Sequence, residues 1–97
     1  MDGVIAPAAS SVLASLCREA QRLRWRAGQL MEDLGRCQSP PLRQRLWREM
    51  AQLRERRAEL QRIAALLRGA ATPVDGVALA LFEELTARPL SPARCGA

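Results

Sequence analysis

The sequence predicts an all-α protein: a long antiparallel helical hairpin (about 8–35 and 40–69), a short third helix (about 73–87), and assembly of such units into a dimeric helical bundle. Three observations predict it. Leu and Ala recur at heptad spacing along two long segments, a Ser-Pro-Pro break separates those segments, and an apolar stretch with a capping signal follows Gly69.

Residues 1–6 read as a flexible leader. Pro7 suits a first helical turn, where its missing N–H does no harm, and Ser10 and Ser11 are alternative N-caps. Leu13, Ala20, Ala27 and Leu34 then recur every seven residues, and Leu16, Leu23 and Leu30 do so three positions later, which makes one apolar stripe. Gly35 is expected to end this helix as a left-handed C-cap. Arg36, Cys37 and Gln38 form a short connection. Ser39 offers a hydroxyl cap, and Pro40 and Pro41 stand where donors are unsatisfied anyway. The second helix carries Leu46, Leu53, Leu60 and Leu67 at a strict seven-residue spacing, with Leu42, Met50, Ile63 and Ala64 beside them, and Gly69 as its end.

Thr72 is expected to cap the third helix, with Pro73 in its first turn and Asp75 close to a capping-box position. Val74, Val77, Ala78, Leu81, Phe82 and Leu85 are its expected apolar face, and Pro89 stops it. The helical domain thus spans 7–88, and residues 89–97 are expected to be a loose tail.

A short link between two long helices forces an antiparallel return. If Leu34 meets Leu42, facing positions add to about 76, and every large apolar residue finds an apolar partner. Leu30 then faces Leu46, Leu23 faces Leu53, Leu16 faces Leu60 and Leu13 faces Ile63. The same register puts Ala20 opposite Arg56 and Arg57, and Ala27 opposite Glu49, where small residues leave room for charged stems. It also puts Gly28 near Trp47 and Ala51 near Trp25, so each indole either covers the seam or marks a docking face.

Composition bounds the function. Ninety-seven residues make one domain at most, and a monomer of this size is marginal because it buries only about 60–65% of its unfolded surface. The net charge is +5 and all fifteen basic residues are Arg. A GC-rich genome explains the absence of Lys; selection for the two-pronged guanidinium is the functional alternative. From Arg18 to Arg68 there are thirteen Arg against six acids, so the hairpin is basic. Glu32–Arg36, Arg45–Glu49 and Glu59–Arg62 have local pairing distance.

The three cysteines, Cys17, Cys37 and Cys95, show no C-x-x-C spacing. Without His they do not complete a structural zinc shell, so no metal is expected and reduced thiols in a cytoplasmic protein are. A disulfide-linked dimer through Cys37 or Cys95 is the lesser alternative. No secretory pattern and no membrane-length apolar run is evident.

Catalysis is not expected. Glu32-Asp33 and Glu83-Glu84 are sequence neighbours that diverge on a helix, no His activates a Cys nucleophile, and no phosphate-binding glycine pattern occurs, so no cofactor is expected either. The expected function is a non-enzymatic interaction, scaffold or adaptor module whose partner is a second copy, another protein, or both. The candidate surface is Arg22, Trp25, Arg26, Arg43, Trp47, Arg48, Arg54 and Arg57, since Trp and Arg are common interface anchors. The alternative is an Arg-rich nucleic-acid-binding accessory protein, held by phosphate contacts. It lacks a helix-turn-helix pattern and a basic region preceding the heptads.

Overall fold

The computed structural model describes residues 7–70 and 75–90, with side chains from residue 11 onward. It contains α1 (Pro7–Arg36), α2 (Pro40–Gly69) and α3 (Gly76–Ala87), each packed on the other two, with no strand among the described residues. The expected leader, the cap at Thr72 with Pro73 and Val74, and the tail from residue 91 with Cys95 lie outside the described residues.

α1 and α2 form where the heptad stripes place them, and their inward residues build two cores in line. The first contains Leu13, Cys17, Ala20, Leu60, Ala64, Leu79, Phe82 and Leu85, with Leu16 and Ile63 packed against it. The second contains Ala27, Leu30, Leu34, Leu46, Met50 and Leu90, with Met31 and Leu53 against it. Leu23 touches both. Leu13, Leu30, Met50, Leu60 and Phe82 are almost wholly buried. Each such side chain contributes about 1.5–3 kcal/mol relative to exposure. The expected pairs fall into these cores together, except that Leu42 is 45% exposed and Leu46 closes the seam in its place. A thin two-layer rod results, with extents of 59 × 28 × 19 Å.

The helix ends differ from expectation in instructive ways. α1 starts at Pro7, so Ser10 and Ser11 both lie inside the helix rather than capping it. Gly35 is helical and α1 runs one residue further, to Arg36, so Gly35 is not a left-handed cap. The Arg43 guanidinium closes this end instead, donating to the Leu34 carbonyl at 2.8 Å and the Cys37 carbonyl at 3.4 Å. A cation on orphaned C-terminal carbonyls satisfies both the hydrogen-bond deficit and the helix dipole. Ser39 precedes α2 in an extended conformation, as a residue before proline must, but its hydroxyl makes no capping bond.

α3 begins three residues later than expected. Asp75, not Thr72, is its cap: one carboxylate oxygen accepts from Val77 N at 2.9 Å and Ala78 N at 3.3 Å. Its buried face is also rotated from the expected one. Leu79, Phe82, Leu85 and Thr86 are buried, whereas Val77 is 81% and Leu81 48% exposed. The stretch Val77–Phe82 is apolar all round, so periodicity could not choose the phase. Packing chose it, and the buried Thr86 hydroxyl is satisfied within the helix by the Phe82 carbonyl at 3.0 Å. Leu90, expected in the loose tail, is buried in the second core.

Candidate interaction surface

The charged residues divide into those that hold the helices together and those that point away. The first group lies along one flank of the α1–α2 seam. Arg56 grips Glu19 with two prongs, Nε to Oε2 at 2.5 Å and Nη2 to Oε1 at 2.9 Å, and its Nη1 donates to Glu59 at 2.9 Å. Arg26 grips Glu49 the same way, at 2.6 and 3.0 Å. Both cross-helix pairs fall within one residue of the register expected from the leucines. They are half-buried, with Ala20 and Ala27 buried in the seam beside them.

These contacts perturb the acids. The Arg56 hydrogen bond holds the Glu19 carboxyl below the usual glutamate range, against a partly opposing effect of burial. Arg26 does the same for Glu49, and Arg68 for Glu83. The guanidinium pKa of Arg56 rises still further above its ordinary value, chiefly through Glu19.

A second set of contacts docks α3. Arg57 donates to the carbonyls of Arg88 and Ala87 at 3.1 and 3.3 Å, and Gln61 donates to the Thr86 carbonyl at 2.9 Å. Side chains of α2 thus satisfy the C-terminal carbonyls of α3. Arg68 pairs with Glu83, and Cys17 Sγ lies 3.9 Å from the Ala78 carbonyl. Burial pushes the Cys17 thiol pKa up, which keeps it protonated.

Of the eight residues expected on the interaction surface, three therefore have duties inside the chain: Arg26 in the seam, Arg43 at the turn, Arg57 at the end of α3. Arg22, Trp25, Trp47, Arg48 and Arg54 are exposed. Three local pairs expected from spacing are replaced. Arg36 takes Asp33 rather than Glu32, Glu49 takes Arg26 rather than Arg45, and Glu59 takes Arg56 rather than Arg62. Long guanidinium arms reach a neighbouring helix as readily as the next turn, and helix spacing alone does not reveal that competition.

The two tryptophans differ. Trp25 is 67% exposed and lines an outward depression of α1 with Arg18, Gln21 and Arg22; it does not cover the seam beside Ala51. Trp47 is 42% exposed, and a Cβ added at Gly28 would meet nothing within 4 Å, so no indole rests there. Sequence reading missed Arg18 as part of the Trp25 surface. The signal was present, because Arg18, Gln21, Arg22 and Trp25 recur at the three- and four-residue steps of one helix face.

The geometry defines a class, a three-helix all-α unit with no cluster of Cys, Asp and Glu that could hold a metal ion among the described residues. No helix among them is long and apolar enough to cross a membrane. Comparisons with protein-family models, curated proteins and solved structures found no match.

Proposed function

We propose that this chain is a non-enzymatic, cytoplasmic interaction module: an antiparallel α1–α2 hairpin, buttressed by α3, that presents an Arg- and Trp-bearing outer surface to a protein partner. One observation carries the reading. Apart from Leu42, the large apolar residues of both heptad stripes are consumed within the chain, while Trp25, the more exposed of the two indoles, stands outward beside Arg18 and Arg22. Trp and Arg together are the side chains most enriched at binding hot spots. The nested contacts Leu34–Arg43, Arg26–Glu49 and Glu19–Arg56 support the antiparallel hairpin.

Two experiments test the reading. In a chain with its native cysteines replaced, cysteines substituted for Glu19 and Arg56 should cross-link within one molecule; cross-linking only between molecules would sink the hairpin. Immobilised intact chain should capture a partner, itself or another protein, and Trp25→Ala should lose it. Equal capture by both would remove Trp25 from the surface.

One observation favours nucleic acid as a second reading. Arg45, Arg48, Arg54 and Arg62 are exposed and carry no ion pair among the described residues. A phosphate-driven complex would show a mobility shift at low salt that vanishes steeply as salt rises.

A further inference from the structure

The outward face of α1 carries bases without an acid in its N-terminal half, and in its C-terminal half the acid Glu32, with Arg36 one turn beyond it held by Asp33. Its outermost heptad stripe carries Arg18, Trp25 and Glu32, and the adjoining stripe carries Gln21, Gly28 and Gly35. Arg18, Gln21, Arg22 and Trp25 share the outward depression and are all exposed. Beyond Trp25 comes Gly28, one turn on, with open space where a side chain would stand. Beyond Gly28 comes Glu32, exposed and without an ion pair among the described residues, because Arg36 turns to Asp33. Along the helix the order is base, indole, vacant notch, acid.

That order is complementary to its own reversal. A second α1 turned end for end about the midpoint of Trp25 and Gly28 sets each Trp25 against the other copy's Gly28. Gln21 then faces Glu32 of the second copy, Arg22 faces Met31, within one residue of that same Glu32, and Arg18 faces Gly35, beside the Arg36 that Asp33 already pairs. A parallel pairing would instead stack Trp25 on Trp25, Arg22 on Arg22 and Glu32 on Glu32, so like charges reject it.

We propose that this face binds a second copy of the chain in an antiparallel, two-fold symmetric contact, each Trp25 indole seated over the Gly28 notch of the other copy and each Arg22 paired with the other copy's Glu32. The inference rests on the interaction-module reading and names its partner. An isologous contact needs one self-complementary patch, which closes after two copies. The indoles supply apolar area, and the missing Cβ at Gly28 lets the backbones approach. A contact made by one helix face belongs to the small end of specific interfaces, so the dimer should form at micromolar rather than nanomolar protein.

Sedimentation velocity of the intact chain over a micromolar concentration series tests this. Trp25→Ala, Arg22→Glu and Glu32→Arg should each weaken dimerisation by about tenfold or more. The double variant R22E/E32R should recover most of the loss, since reversal of both charges restores the pairing. Far-ultraviolet circular dichroism checks that each variant keeps its helix content. In Trp47→Phe, where Trp25 is the sole indole, emission should shift to the blue as concentration rises. A wild-type chain that stays monomeric throughout overturns the inference. If it nevertheless captures another protein through Trp25, the module reading survives alone. A dimer indifferent to all three single changes overturns this face but leaves the module reading standing, and single-variant losses without rescue overturn the Arg22–Glu32 pairing.

Discussion

Phe82 and Leu81 are neighbours in sequence and opposites in consequence. Phe82 is wholly buried in the first core, whereas Leu81 is nearly half-exposed. Phe82→Ala should therefore cost about 3–5 kcal/mol, while Leu81→Ala should stay within about 1 kcal/mol, as read from chemical denaturation. Equal losses would mean that α3 is rotated from its described phase. Arg43 poses a different residue-level question, because its guanidinium serves two backbone carbonyls and, among the described residues, no acid. Arg43→Met keeps the aliphatic stem and removes the donors. It should cost about 0.5–1.5 kcal/mol, and amide exchange should speed first at the end of α1. These residue roles were only partly legible. The leucine stripe announced Leu30, Leu46 and Leu60 because seven-residue spacing admits one reading. Nothing in the spacing distinguished Arg43 or Arg57, which bind carbonyls, from Arg22 or Arg48, which point outward. Guanidinium partners depend on tertiary neighbours that a one-dimensional pattern does not contain.

Elements are joined to one another by carboxylates with depressed pKa values, and this sets their acid sensitivity. Glu19 and Glu49 tie α1 to α2, and Glu83 ties α3 to α2. All three are held below the ordinary glutamate value by their Arg partners. A carboxyl whose folded pKa is lowered binds fewer protons in the folded state than in the unfolded one. Its stabilisation is therefore complete above the unfolded value of about 4.3 and is lost as pH falls below it. The melting temperature should be flat from neutral pH to about 5 and fall below about 4.3. Glu19→Gln with Glu49→Gln should flatten that fall; an unchanged profile would show that these pairs carry no linkage. Element boundaries were legible where proline or glycine interrupts a stripe, as at Pro40 and Gly69. They failed at α3, where Thr72 was expected to cap and Asp75 to lie within the first turn, whereas the Asp75 carboxylate itself accepts from the amides of Val77 and Ala78.

At the scale of the whole molecule the cores lie end to end, and the Cα radius of gyration is 16.6 Å. A compact chain of this length would have about 12.5 Å. A thin rod buries little per residue, so the two cores must support each other, and Leu23 is the side chain that packs against both. Leu23→Ala should lower stability by about 2–3 kcal/mol and should broaden or split a melting transition that is single in the wild type. A sharp single transition in the variant would show that the cores couple by another route.

Leu90 has a consequence for how the chain is made. α3 supplies Leu79, Phe82 and Leu85 to one core, and Leu90 enters the other. Neither core is complete until residues that follow both long helices have emerged, although most of its wall comes from helices made earlier. A nascent chain holding only α1 and α2 leaves two leucine strips partly uncovered, Leu13 and Leu60 along one and Leu30 and Leu46 along the other, until α3 and Leu90 emerge. Exposed strips of that kind are what holding chaperones bind, and what sister chains on one messenger would find in each other first.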